Sequence, residues 1–243
     1  SKREELKELL ERLLKLDRDT LEELKRLLDE LKKTNDDTLE ILKRLLEEVL
    51  RVIRETGLPE DILRRAEELI RRLKKKLEEI VRRNEELIRR LREDLKRIHD
   101  EIRKLIEDLK RDLDRTKDER TILKLVKEVL ERISDLNRKI LDSVRRAIEK
   151  DVKSNEEILD LVREALERLA KLVEDAVREK IREDKDRVRE IERRLEELRK
   201  RLEKVERDLR DRHRKVKKKL DDVIEKVKRR HDELRKELED AER

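Results

Sequence analysis

Three histidines, His99, His213 and His231, are the side chains best able to hold a metal or move a proton near neutral pH, in a sequence with no cysteine, methionine or tyrosine. As metal ligands they would have to converge on one ion together with carboxylates. His213 and His231 stand eighteen residues apart, about 27 Å along one helix, so they cannot share a site. No HExxH, cysteine pair or clustered Glu-x-x-His falls on inward-facing positions; the histidines read as hydrogen-bonded core residues, and no metal or cofactor is expected. Asp17, His99 and Ser134 could be drawn together as an acid, base and nucleophile. Nothing around them supplies an oxyanion hole, a glycine-rich loop or a cleft, so no enzymatic activity is expected.

The other candidate chemistry is anion binding by the basic run Arg207, Arg210, Arg212, Arg214, Lys215, Lys217, Lys218 and Lys219. These residues fall all around a helix and no aromatic side chain is interleaved for base stacking, so the run reads as a solvated face and no nucleic-acid partner is expected. A membrane partner is not expected either. Interfacial helices use Trp or Phe beside a one-sided charge, and no apolar run approaches eighteen residues.

The elements that must carry these residues are helices. Of 243 residues 58% are charged and none is aromatic, with one Gly and one Pro, a balance that matches long-helix proteins and leaves a core of Leu, Ile, Val and Ala. A mean hydropathy of −1.10 could also describe a disordered chain, but the apolar 34% is confined to stripes at helical spacing. The net charge of +6 is small against 74 basic and 68 acidic residues, so the signs are interleaved.

The clearest break is Thr56-Gly57-Leu58-Pro59-Glu60-Asp61, with Gly past one helix and Pro opening the next. A second is predicted at Thr116-Lys117-Asp118-Glu119, read as a capping box with Thr116 at the N-cap, and a third at Arg182-Glu183-Asp184-Lys185-Asp186. Four helices of similar length result, over about 2–56, 59–115, 118–182 and 186–242, in one domain spanning 1–243. Cap-like strings at 17–20, 34–38 and 154–157 are read through because the stripe keeps its phase across each.

Ile62, Ala66, Leu69, Leu73 and Leu77 recur eighteen residues later as Ile80, Asn84, Leu87, Leu91 and Leu95. Eighteen residues make five turns of 3.6, which predicts a near-straight, up-down-up-down antiparallel four-helix bundle of the all-α class. Residue i of the first helix then faces roughly 115 − i, 119 + i and 248 − i in the other three. Two polar levels follow. One gathers Asp17, Thr20, His99, Ser134, Asn137 and His231; the other gathers Thr34, Asn35, Thr38, Asn84, Asp151, Ser154, Asn155 and His213. Buried and neutral, His213 and His231 should lose stability between pH 7 and 5.

With its eighteen-residue repeat, its layers around Thr20/Asn137/His231 and Thr38/Asn155/His213, its Gly57-Leu58-Pro59-Glu60-Asp61 turn and its Glu/Lys/Arg surface, the whole chain resembles de novo designed helical bundles with buried hydrogen-bond networks. The resemblance implies a scaffold, oligomer or switch component without natural activity, soluble and cytoplasmic when produced recombinantly. The first and third helices carry apolar arcs of about 180°, against about 100–120° for the others. As the short diagonal of a rhombic bundle they would touch three neighbours each in a monomer, the reading preferred here; alternatively they would join copies into a homo-oligomer or release a helix to a partner. The repeat predicts a rod of about 85–95 Å by small-angle scattering; a particle near 50 Å would mean that the cap-like strings are turns.

Overall fold

In a computed structural model describing residues 1–180 and 185–242, the chain is an all-α four-helix bundle: α1 (Lys2–Glu55), α2 (Glu60–Arg115), α3 (Glu119–Lys180) and α4 (Lys185–Glu242). The strings at 17–20, 34–38 and 154–157 are uninterrupted helix. Apolar neighbours on both sides hold each string in the stripe, and that burial outweighs the weak local preference of Asp, Asn, Ser and Thr for a helix start.

The first turn follows the sequence closely. Gly57 takes a φ of 68°, Thr56 closes α1 through its N–H to the Ile53 carbonyl, and the Pro59 carbonyl accepts the N–H groups of Ile62 and Leu63. The second turn differs from expectation. The Thr116 N–H still bonds the Asp112 carbonyl, so Thr116 belongs to the end of α2, and Asp118 is the cap, accepting from the Arg120 N–H at 3.3 Å and from the Thr121 hydroxyl at 2.9 Å. A carboxylate is a stronger acceptor at the positive end of a helix than a hydroxyl. The third predicted break falls mostly on 181–184, outside the described residues, with α4 in place from Lys185.

The helices contribute to two compact units. Unit 1 comprises Ser1–Glu30, Leu87–Glu149 and Lys215–Arg243; its core includes Leu10, Leu13, Ile102, Ile106, Val126 and Leu238. Unit 2 comprises Leu31–Glu86 and Lys150–Arg214, with Leu42, Leu46, Ile53, Ala66, Val162 and Leu202 at its centre. In unit 2 α1 and α3 touch directly, through Asn35 and Asp151, as the width of their apolar arcs predicts for a short diagonal.

Charge ladders run along the seams. In unit 1 Arg12–Glu237, Glu23–Lys226 and Glu30–Lys219 join α1 to α4, and in every pair the two residue numbers have the same sum. That sum recurs in unit 2 in Asp37–Arg212, Glu48–Arg201 and Glu55–Arg194. A constant sum is the signature of antiparallel neighbours in one register. The α1–α2 seam has its own constant sum, in Lys7–Asp114 and Glu11–Lys110 of unit 1 and in Lys43–Glu78 and Glu47–Lys74 of unit 2.

These α1–α2 pairs lie about six positions beyond the 115 − i expected from the turn, whereas the core contact Asp17–His99 follows it closely. Side-chain direction acts in that sense, although the α1–α4 pairs lie only one position beyond the 248 − i expected. Side chains lean toward the N-terminus of their own helix, so in an antiparallel pair two long side chains meet only if both start from positions further along.

Leu46→Ala, at a fully buried position, should cost about 2–5 kcal/mol in urea denaturation. Gly57→Ala should cost about 1–2 kcal/mol, because an added Cβ meets only an Arg187 guanidinium nitrogen at 3.5 Å and the penalty is purely that of positive φ. Gly57→Asn should lose less than Gly57→Ala.

Candidate functional site

The buried polar positions lie on the stripes because eighteen residues return a side chain to the same face. Asn137 and Asn155 are 2% and 1% exposed, His231 and His213 3% and 6%, and Thr20 and Thr38 5% each. Side chains this deep must find partners within the bundle.

In unit 1 the six predicted residues do not form one network. Asp17 of α1 contacts the Nδ1 of His99 on α2, while on the other side the Asn137 side-chain amide donates to Nε2 of His231 at 3.1 Å. Thr20 turns its hydroxyl back onto the Leu16 carbonyl of its own helix at 2.8 Å. Ser134 accepts from Arg235 at 3.2 Å, so the structure gives the imagined triad with Asp17 and His99 a different partner for its hydroxyl. Arg235 was missed by sequence reasoning. It lies one turn after His231 and also holds Glu131 at 2.8 Å, and the i, i+4 spacing from a core histidine was the available signal.

The Asn137 bond fixes the His231 tautomer. With Nε2 accepting, the proton of the neutral ring sits on Nδ1, which is buried without a partner. Burial first, and the neighbouring Arg235 charge second, push the His231 pKa down to about 4. The Asp17 carboxyl is raised, chiefly by burial, against the opposing hydrogen bond and charge of His99.

Unit 2 holds the connected cluster, with Asn155 at its centre. Its side-chain NH2 lies 2.9 Å from Asn35 Oδ1, 3.1 Å from Asp151 Oδ2 and 3.0 Å from His213 Nε2, and the Asn35 amide donates to Asp151 Oδ1 at 2.5 Å. Two hydrogens are thus shared among three acceptors, and Asn155 Oδ1 is left without a partner. Three helices, α1, α3 and α4, meet here. Thr34 and Thr38 are buried on the same stretch of α1, and Ser154 is half-buried and stands outside the cluster. Asn84, the α2 residue at this level, is buried with its Nδ2 unpartnered.

Burial pushes the Asp151 pKa up to about 7, against the two amide hydrogen bonds that lower it. Its carboxyl therefore gains and loses a proton around neutrality, and that is the chemistry the cluster can perform. Among the described residues no three His, Cys, Asp or Glu side chains are grouped so as to hold a metal ion, and no helix is long and apolar enough to cross a membrane.

Asp151 corrects the simple pH expectation. For His231 the folded pKa lies below the unfolded value of about 6.5, so the unfolded chain binds more protons and stability is lost as pH falls from about 6.5 toward 4. For Asp151 the folded pKa of about 7 lies above the ordinary 3.8, so the native chain binds more protons and stability is gained as pH falls from about 7 toward 4. The two oppose each other. Urea midpoints of the parent should change little between pH 7 and 5, those of Asp151→Asn should fall, and those of His231→Asn should rise. A flat profile in both variants would place neither group in the core.

Compared with known proteins, the chain matches no family model, no curated protein and no solved structure.

Proposed function

We propose that this chain is a de novo designed helical bundle whose role is structural: a scaffold in which buried polar groups dictate which helices meet and at what level. The observation that carries this reading is the constant-sum charge ladder, kept along both α1 seams, combined with polar contacts that differ between the two levels. Aliphatic stripes with an eighteen-residue period tolerate sliding, because one Leu level resembles another. Asp17–His99 belongs to one level only and Asn35–Asp151 to the other, so a displaced helix would face a polar group with leucine. Leaving such a group unpaired costs about 1–3 kcal/mol, which turns a loose preference into a single register.

Surface ion pairs contribute little stability, from about 0 to 1 kcal/mol each, so the ladders also act on choice of partner more than on strength. Nothing in the cluster chemistry requires a substrate. The proton at Asp151 then reflects the cost of burying a carboxylate in an amide cluster.

In solution a single species of 29.9 kDa is expected by light scattering. Replacing Asn137 with Leu alone would strand His231, so the informative variant removes partners together: Asn35, Asn137, Asp151, Asn155, His213 and His231 all to Leu. It should stay helical, denature at higher urea concentration and lose its single mass. A variant that is less stable and still uniform would sink the proposal, and a parent already mixed in mass would favour a helix-mediated oligomer instead.

A further inference from the structure

The seams of unit 2 are not equivalent. Opposite charges close α1 against α2 at Lys43–Glu78 and α1 against α4 at Glu48–Arg201, and α3 is held to α4 by Arg163–Glu206 at 2.6 Å. Between α2 and α3 lies an open groove of about 680 Å³ with an apolar floor of Leu69, Leu73, Leu161 and Ala165. Like charges stand on its two banks: Arg65 of α2 with Arg168 of α3, and Glu68 with Glu164. Arg64, Arg72 and Lys76 also line it, which makes five cations against two carboxylates. Glu68 is already held within its own helix by Arg71 at 2.6 Å and Arg72 at 2.9 Å. Among the described residues Arg65, Lys76 and Arg168 make no ion pair.

We infer that this groove is a docking surface for an acidic amphipathic helix of another molecule. The lining from Arg64 to Lys76 extends along about 18 Å of α2, the length of just over three helical turns. An incoming helix would lay a leucine stripe on Leu69, Leu73 and Leu161 and set glutamates on both flanks against the basic banks, the groove-binding mode of amphipathic helices. A second copy seated groove against groove is the wrong occupant, because it would bring the same excess of cations against itself. The inference is independent of the scaffold reading, since it rests on one seam and not on the polar levels.

The test uses the full chain and a fluorescent, end-capped peptide of about four turns with leucine on one face and glutamate on its flanks, followed by anisotropy. Saturable binding is expected, weakened about tenfold in the triple variant Arg65→Glu, Lys76→Glu, Arg168→Glu, all at exposed positions. Circular dichroism of that variant should match the parent, which separates lost binding from lost fold. Absence of saturable binding would overturn the inference. Equal binding of the same peptide with lysine in place of glutamate would overturn it too, as apolar adhesion without charge selection. Doubling of the parent's mass at high concentration, abolished by the triple variant, would assign the groove to a second copy and equally overturn it.

Discussion

Five helical turns hold eighteen residues, and the rest of the molecule depends on that return to the same face. A chain that is 58% charged has few apolar side chains to bury, so nearly all of them must point inward along each helix. Eighteen-residue spacing achieves this over helices of 54 to 62 residues without the drift a strict seven-residue repeat would impose. The same constraint carries the polar residues inward. Asn137 and Asn155, or His213 and His231, are equally buried because they are the same position of the stripe repeated.

Burial and charge then divide the work. Closing aliphatic residues such as Leu42, Leu46 and Val162 out of water supplies the driving force, at roughly 25 cal/mol per Å² of apolar surface. That force is indifferent to which leucine meets which. Exposed pairs such as Glu48–Arg201 add little energy and much discrimination, since sliding a helix sets like charges face to face. The amides at the core discriminate more steeply, because water cannot rescue Asn35 or Asn155 once the helices have closed.

The buried groups that titrate have opposite sign. His231 resists its proton because burial and Arg235 penalise the cation, and Asp151 keeps its proton because burial penalises the anion. In both, burial favours the neutral form over the charged one. The amides suit that state, since they donate to a neutral ring or an acid without requiring a counter-ion.

The sequence alone determined the all-α class, the Gly57 turn and the helical state of 17–20, 34–38 and 154–157, and it set Asn137, Asn155, His213 and His231 on the apolar stripes where they are buried. All of these follow from periodicity and local backbone preference, which act along one chain. The wide apolar arcs of α1 and α3 left a short diagonal and contacts with another chain both open, and in unit 2 Asn35 of α1 bonds Asp151 of α3. Tertiary structure decided what distance and direction control. Asp118 caps α3 because the Thr116 N–H remains bonded to the preceding turn. Thr20 bonds its own helix while Asn137 reaches across to another, since a short hydroxyl finds the carbonyl four residues back before any neighbour. Asp151 titrates near neutrality because burial within the bundle penalises its charged form, and an open groove with an apolar floor lies between α2 and α3 with basic residues on both banks. Such outcomes depend on where side chains of different helices end, and a stripe read along one helix carries no information about that.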